Sequence, residues 1–245
     1  MENPMLKMLK SQVQGFTYLL SNPSQLKHLF IRETRYRHRH YSKQRWIEWQ
    51  KYNSSRISAA LRDHAAEALM LPFNVARKQT ISGMVSPLGN SLNVLDVGGG
   101  DGVIGERLWK MGNSVTTVDL PTVSTHAHRS RCLLAVAGDA EKLPFSSNSF
   151  DVVLASEIVE HLWNPHSFFD EAYRVLKADG HLIMSTPAGI EGLRYDSHKH
   201  YFTVEILKQL LGARFTVIEV KRLTDVGTPT PTLIILFRKS VVPKT

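Results

Sequence analysis

The sequence predicts an α/β fold built on an open, doubly wound sheet, and three features of the chain indicate it. A short apolar strand runs directly into a glycine-rich turn and a helix over residues 93–108. From residue 91 onward, strand-like and helix-like segments alternate, which is the order expected when helices cover both faces of a sheet. The chain has 245 residues, enough for one such domain and an extension.

The glycine-rich turn is the first candidate for a binding site. It lies between a predicted strand at Leu92–Val97 and a predicted helix at Val103–Met111, and Asp96 stands just before it. It contains four glycines: Gly98, Gly99, Gly100 and Gly102. Glycine accepts a positive φ and lets a ligand approach the backbone, and the first N–H groups of a helix favour anionic or polar groups. The pattern predicts a nucleotide-type cofactor at the carboxyl end of the first strand.

Two spacings of these glycines suggest different cofactors. The G-x-G-x-x-G pattern that begins at Gly100, with Asp119 further along, matches the fingerprint of dinucleotide-binding domains. The longer D-x-G-x-G-x-G pattern that begins at Asp96 places a carboxylate before the first glycine, which suits a ligand with an ammonium group and no pyrophosphate. This second pattern resembles motif I of the class I S-adenosylmethionine-dependent methyltransferases, and we favour it.

The excess of basic charge lies in the first 90 residues. Residues 1–90 carry 14 Lys and Arg against 5 Asp and Glu, whereas residues 91–245 carry 16 against 17. We therefore divide the chain into a basic, aromatic-rich helical extension or lid (1–90) and an S-adenosylmethionine-binding methyltransferase domain (91–245), with a linker at Ser86–Asn90. The extension has three interpretations: a helical cap, a lid whose bases meet an acidic or phosphorylated substrate, or a surface for nucleic acid or membrane.

Cysteine usage and apolar runs bear on the cellular setting. Cys132 is the single cysteine, which excludes an internal disulfide and indicates a reducing compartment. No run reaches the roughly 18 apolar residues that a membrane span needs, and the N-terminus lacks a signal-peptide pattern. We therefore expect a cytoplasmic protein without a transmembrane segment.

Apolar periodicity and turn residues divide the rest of the chain into elements. Further strands are predicted at Ser114–Val118, Cys132–Ala137, Asp151–Ser156, His181–Ser185, Phe215–Val220 and Thr232–Arg238. Helices are predicted at about His166–Leu176 and at Val204–Leu211, the latter capped by Thr203. Ala178–Gly180 is predicted to be a turn.

A second stretch, from Gly138 to Pro165, carries a more specific resemblance. Its sequence, GDAEKLPFSSNSFDVVLASEIVEHLWNP, is similar to the ubiquinone/menaquinone-biosynthesis-like branch of the class I methyltransferases, known as methyltransferase type 11. The resemblance covers about residues 91–240. It implies a Rossmann-like seven-stranded sheet in the order 3-2-1-4-5-7-6, with the last strand antiparallel, and S-adenosyl-L-methionine as the cofactor.

The resemblance also assigns roles around the cofactor. The Asp119 carboxylate would accept hydrogen bonds from the ribose hydroxyls, and Leu120 would pack on the adenine. Asp139 and Ala140 would recognise the adenine edge, and Glu157 would line the pocket. The expected cofactor-binding set is Asp96, Gly98, Gly100, Gly102, Asp119, Leu120, Asp139, Ala140 and Glu157.

The residues after the fourth strand are candidates for the chemistry. A hydroxyl acceptor must lose a proton, and histidine suits that role because its unperturbed pKa lies near neutrality. We therefore expect His161 and His198 to be catalytic. Glu157, Glu160, His161 and His198 also resemble the metal-binding set of the small-RNA 3′-end 2′-O-methyltransferases, which suggests a divalent metal.

Three functions remain open on the sequence alone. The first is S-adenosylmethionine-dependent O-methylation of a small-molecule metabolite. The second is metal-assisted 2′-O-methylation of RNA, in which the basic extension would bind phosphates and binding would weaken with salt. The third is a non-catalytic module that binds S-adenosylhomocysteine.

Overall fold

The computed structural model describes residues 72–100, 102–120, 134–190, 198–224 and 230–240, and the structural statements below concern these residues. Their strands are β1 (Asn93–Val97), β2 (Ser114–Asp119), β3 (Leu134–Ala137), β4 (Phe150–Ser156), β5 (Leu176–Pro187), β6 (Phe215–Leu223) and β7 (Thr232–Lys239). Their α-helices are α1 (Pro72–Val85), α2 (Val103–Lys110), α3 (Pro165–Val175) and α4 (Val204–Leu211). Short 3₁₀ helices lie at Ser86–Leu88, Val159–His161 and Gly212–Arg214.

All seven strands form one sheet, in the order β3-β2-β1-β4-β5-β7-β6. β7 runs antiparallel to β5 and β6, and the other neighbours are parallel. The predicted fold class and strand order are therefore confirmed. The direction of strand order reverses between β1 and β4, so the carboxyl ends of these strands flank the point at which ligands bind in open α/β sheets.

Each face of the sheet carries its own apolar cluster, because side chains alternate along every strand. On one face, Leu95 and Phe237 pack with residues of α3 and α4 such as Phe169 and Leu207. On the other face, Val94 and Leu236 pack with residues of α1 and α2 such as Leu108. The central strands β1, β4, β5 and β7 are thus largely buried on both sides, and their ends remain accessible to a ligand.

Helix α1 lies within the predicted extension but packs on the sheet. Ile81, Met84 and Val85 are all almost fully buried in the second cluster. Part of the segment before residue 90 therefore belongs to the same core as the strands. The basic, aromatic-rich run before residue 72 and Cys132 both lie outside the described residues.

The predicted turn at Ala178–Gly180 is corrected by the structure. These residues lie inside β5, which pairs with β4 at Leu176 and again at His181. Between those two points the strand bulges, and Asp179 adopts a left-handed φ of 58°. Turn-forming residues mark a local bend, but only the pairing with β4 shows that one strand continues through it.

The other element bounds agree with the sequence to within three residues. Among the described residues, no helix has the length and apolar character needed to cross a membrane.

Candidate active site

The glycine turn between β1 and α2 has the conformation that its composition predicts. Gly98, Gly100 and Gly102 have φ values of 68°, 49° and 69°, all in the left-handed region. A Cβ on Gly98 would overlap Cγ2 of Ile158, and the Gly98 N–H donates to the carbonyl of Val118 (2.8 Å). The turn is therefore fixed against two neighbouring strand ends, with room only for glycine at its first position.

Two predicted carboxylates border this turn. Asp96 lies on β1 and is 2% exposed, and a Cβ on Gly99 would come within 3.1 Å of its Oδ2. Asp119 ends β2, where its Oδ2 accepts from Gly100 N (2.9 Å) and its Oδ1 from Leu120 N (2.7 Å). Burial raises the pKa of Asp119, although both N–H groups favour the ionised form. The Asp119 carboxylate thus fixes the glycine turn to the end of β2.

The loop after β3 carries Asp139 and Ala140. One oxygen of Asp139, Oδ1, accepts from Glu141 N (2.9 Å), and the Asp139 carbonyl accepts from Lys142 N (3.0 Å). Ala140 packs against the first apolar cluster. The Asp139 side chain therefore shapes its own loop, a role that the resemblance did not indicate.

Glu157 follows β4 and is tied to two distant elements. It adopts a left-handed φ of 56°, and its N–H donates to the carbonyl of Ser185 on β5 (3.0 Å). Its Oε1 accepts from Ser185 Oγ (2.9 Å), and its Oε2 lies 3.5 Å from Arg77 Nη1 on α1. Burial raises the pKa of Glu157, and the Arg77 charge opposes that shift.

Arg77 was not among the residues predicted from the sequence. It sits in the basic first 90 residues, where the spacing of the chain gives no indication that one arginine faces the end of β4. Its guanidinium also donates from Nη2 to Asn74 Oδ1 (3.1 Å), one turn earlier on α1. Only the packing of α1 on the sheet identifies this contact.

Glu160, His161 and His198 form a cluster beside Glu157, which we call the carboxylate–imidazole cluster. One potential ligand atom from each residue lies within 4.8 Å of the others. The two imidazole rings have centroids 4.7 Å apart at an interplanar angle of 81°, and His161 Nε2 lies 3.9 Å from Glu160 Oε1. The structure therefore brings together both predicted catalytic histidines and three of the four predicted metal ligands.

Glu160 is the most buried member of the cluster, at 1% exposure. Its Oε2 accepts from Thr186 Oγ1 (3.1 Å), whereas its buried Oε1 makes no hydrogen bond with the described residues. Burial, together with the nearby charge of Glu157, raises the pKa of Glu160 well above its usual range. A buried carboxylate oxygen without a donor favours a proton or a cation at this point.

Glu157 lies outside the group of three ligand atoms. The sequence places Glu157 and Glu160 three residues apart, but the bend after β4 directs Glu157 toward Ser185 and Arg77. The two glutamates therefore have different partners.

The segment after His198 is attached to the same region by its backbone. Lys199 N and His200 N donate to the carbonyl of Glu160 (2.7 and 3.2 Å), and His200 Nε2 lies 2.9 Å from the carbonyl of Leu162. These contacts bring His198 next to His161 across 37 residues of sequence. They give His200 a structural position.

Comparison with known protein families identifies the sheet domain. Residues 95–184 match the family model described as a methyltransferase domain. The matched segment is a methyltransferase domain, and it is similar to the class I S-adenosylmethionine-dependent methyltransferases of the ubiquinone/menaquinone-biosynthesis-like branch. S-adenosyl-L-methionine is the cofactor of this family, so the longer glycine pattern, and not the dinucleotide fingerprint, is confirmed.

Several curated proteins resemble the methyltransferase domain. The chain is 33% identical over 137 residues to the mitochondrial ubiquinone biosynthesis O-methyltransferase of Rattus norvegicus, with 50% of this chain and 39% of the relative covered. It is 32% identical over 142 residues to the ubiquinone biosynthesis O-methyltransferase of Rhizobium rhizogenes, with 56% and 53% covered. The chain thus spans about half or less of the length of these relatives.

Solved structures share the fold. The N-methyltransferase NodS of Bradyrhizobium japonicum, in complex with S-adenosylhomocysteine, has a TM-score of 0.66 at 18% identity and covers 76% of this chain and 97% of its own. The 1,6-didemethyltoxoflavin-N1-methyltransferase of Burkholderia thailandensis has a TM-score of 0.64 at 22% identity, with 80% and 90% covered.

The described residues of the methyltransferase domain fit this cofactor. The first glycine of the turn leaves no room for a side chain because a Cβ there would overlap Ile158, and Asp96 and Asp119 border that turn. Two further predicted residues, Asp139 and Glu157, follow β3 and β4 at the same edge of the sheet. All the predicted cofactor residues therefore lie at, or directly after, the carboxyl ends of β1 to β4.

Proposed function

We propose that the protein transfers a methyl group from S-adenosylmethionine to a hydroxyl oxygen of a small-molecule acceptor. The observation that carries this proposal is the carboxylate–imidazole cluster, which gathers proton-accepting groups after β4, next to the cofactor edge. The ubiquinone biosynthesis O-methyltransferases among the relatives support an oxygen acceptor. The RNA and non-catalytic alternatives gain no support from the comparisons.

The proposed chemistry needs a base more than an acid. When bound, S-adenosylmethionine supplies an electrophilic methyl group, which an acceptor oxygen can take once its proton is removed. His161 and His198, whose ring centroids lie 4.7 Å apart, are the residues that would accept that proton. The acceptor O–H would lose its proton to one of the imidazoles, the O–CH₃ bond would form as the S–CH₃ bond breaks, and S-adenosylhomocysteine would leave.

As the alternative to a base role for the two imidazoles, we propose that the cluster holds a divalent cation. Two imidazoles and one carboxylate are a donor set that borderline divalent metals accept. The buried Glu160 Oε1, which makes no hydrogen bond with the described residues, points to such an ion, because ionisation would otherwise be costly there. A cation in this cluster would favour the ionised form of Glu160 and lower the pKa of an acceptor hydroxyl.

The test combines histidine variants with metal removal. Purified full chain is incubated with radiolabelled S-adenosylmethionine and a set of phenol and catechol acceptors, alongside the matching aromatic amines. We expect label in the hydroxyl acceptors and a rate loss of about 10²–10⁴-fold in His161→Ala and His198→Ala, the usual value of general base catalysis. His181→Ala, which lies in β5 opposite Val152 near the amino end of β4, is the control and should remain active.

Each part of the proposal has its own contrary result. Label in the amines alone would rule out the oxygen acceptor. Full activity in both histidine variants would exclude them as the base. Activity that survives dialysis against chelator, with no divalent metal recovered from the protein, would remove the cation while leaving the base in place.

A further inference from the structure

Glu141 connects two loops that lie on different sides of the site. Its Oε1 accepts from the backbone N–H of Trp163 (2.6 Å) and of Asn164 (2.9 Å). Glu141 belongs to the loop after β3, and the two N–H groups that donate to it belong to the loop that follows β4. One carboxylate oxygen therefore joins segments that are 22 and 23 residues apart in sequence.

The loop after β3 is the adenine side of the proposed cofactor site. Asp139 Oδ1 accepts from Glu141 N (2.9 Å), so the proposed adenine contact and Glu141 form one tight turn. Gly138 N also donates to the carbonyl of Asp119 at the end of β2 (2.9 Å). A ligand that orders Asp139 would consequently also order Glu141.

The second loop continues directly from the carboxylate–imidazole cluster. Trp163 and Asn164 follow Glu160 and His161 by a few residues, and the Asn164 side chain accepts from His166 N to begin α3 (3.2 Å). The Trp163 ring also lies 5.9 Å from Lys199 Nζ, close to His198. Movement of this loop would displace Glu160 and His161, the members of the cluster that directly precede it in sequence.

Burial and neighbouring groups both act on the Glu141 carboxyl. The residue is half-buried, and burial, aided by the charge of Asp139, raises its pKa to about 7. The N–H groups of Asn164 and Trp163 oppose that shift. Both the neutral and the ionised form keep an acceptor at Oε1, so the connection does not depend on one charge state.

We propose that Glu141 is a positioning residue that couples the adenine side of the cofactor site to the loop carrying the acceptor-side cluster. When a ligand binds at Asp139 and Ala140, the two hydrogen bonds that Glu141 accepts stabilise the position of the segment after β4. This inference rests on the proposed function for the identity of the adenine ligand. It requires no catalytic role for Glu141 itself.

The test uses adenosine, which carries the adenine but not the methionine half of the cofactor. Full chain is labelled with 5-fluorotryptophan, and the Trp163 resonance is assigned in ¹⁹F NMR by its loss in Trp163→Phe. In wild type, saturating adenosine should shift the Trp163 resonance. Glu141→Gln keeps the acceptor oxygen and should keep the shift, whereas Glu141→Ala should lose it and bind adenosine about tenfold more weakly, within the usual range of coupling between sites.

Two further variants separate positioning from general stability. Glu141→Asp keeps the charge but is one methylene shorter, so it should also lose the Trp163 shift and bind adenosine more weakly. It supplies the test if the alanine variant does not fold. Asp151→Ala removes a carboxylate that accepts from Asn93 N (2.9 Å) at the opposite end of the sheet. It should leave both the adenosine affinity and the Trp163 shift unchanged.

The outcomes distinguish this inference from the proposed function. Wild-type protein that binds neither adenosine nor S-adenosylhomocysteine, measured by calorimetry, would refute the proposed function. Binding of both ligands without a Trp163 shift, or with a shift that persists in Glu141→Asp, would refute the coupling alone. Loss of the shift in Glu141→Gln as well would show that the acceptor oxygen is not what transmits it, and would also overturn the inference.

Discussion

At the scale of single residues, the site depends on positions that accept only one type of residue. Gly98 combines a left-handed φ of 68° with a backbone so close to Ile158 that a Cβ would overlap it. Asp119 is held by two N–H groups, so its carboxylate cannot move without releasing the glycine turn. These residues define the cofactor side of the site by geometry and not by charge alone.

Replacement of Gly98 by alanine should therefore affect both folding and binding. We expect Gly98→Ala to lower the free energy of unfolding by about 1–3 kcal/mol, through backbone strain and overpacking. It should also weaken binding of S-adenosylhomocysteine, because the turn must shift to admit the methyl group. Urea unfolding and calorimetry measure the two effects.

The matched control is Gly83→Ala, on the exposed side of α1. A Cβ there meets nothing within 4 Å. Because alanine is the better helix former by about 0.5–1 kcal/mol, this variant should be stabilised and should bind normally. Equal behaviour of the two variants would show that the glycine turn does not need its left-handed conformation.

At the scale of elements, caps and bends determine where the functional side chains stand. Helix α4 begins after Thr203, whose side chain accepts from Ile206 N. The helix follows directly on the segment that carries His198 and packs Leu207 and Leu211 into the first cluster. Its start therefore fixes one side of the carboxylate–imidazole cluster.

Loss of this cap should destabilise the protein without chemical change at the site. Thr203→Ala should lower the free energy of unfolding by about 1 kcal/mol, the usual cost of an N-cap hydroxyl. Thr203→Ser keeps the hydroxyl and should be close to wild type. Urea unfolding of both variants tests the assignment, and an unchanged stability for Thr203→Ala would argue against the cap.

At the scale of the whole molecule, the position of Glu141 makes stability depend on pH. Its pKa is raised from an ordinary value of 4.5 to about 7, chiefly by burial. A carboxyl group whose folded pKa is raised stabilises the fold below its unfolded pKa and loses that contribution as pH rises through the folded pKa. The loss should therefore fall between pH 4.5 and 7.

Glu141→Gln should remove this part of the pH dependence. The variant carries no titrating group, so its stability relative to wild type should increase from pH 5 to pH 8, measured by urea unfolding at each pH. Asp151→Asn is the control: although burial opposes it, hydrogen bonds from Lys177 and Asn93 lower the pKa of Asp151. Asp151 is ionised at both pH values, so its variant should differ from wild type by a constant amount. A constant difference for Glu141→Gln would contradict the raised pKa.

Local sequence patterns were sufficient to predict the parts of the molecule that depend on local conformational preferences. Glycines that tolerate positive φ, short apolar runs and a threonine cap were enough to predict the glycine turn, α4 and every strand except the start of β5 to within three residues. The resemblance then supplied the strand order, the cofactor and the side chains at the strand ends. These features are encoded in short stretches, so they can be recognised without a fold.

The side-chain contacts of the site, in contrast, follow from the packing of distant segments. Arg77 reaches Glu157 because α1 packs on the sheet. Glu141 can reach the loop after β4, across the ends of β2 and β1, because the parallel strands β3 and β4 end at the same edge of the sheet. The bend after β4 likewise separates Glu157 from Glu160, although three residues of sequence suggested a shared site. Such contacts depend on side-chain direction and on the packing of segments that are far apart in sequence. A local sequence pattern predicts neither.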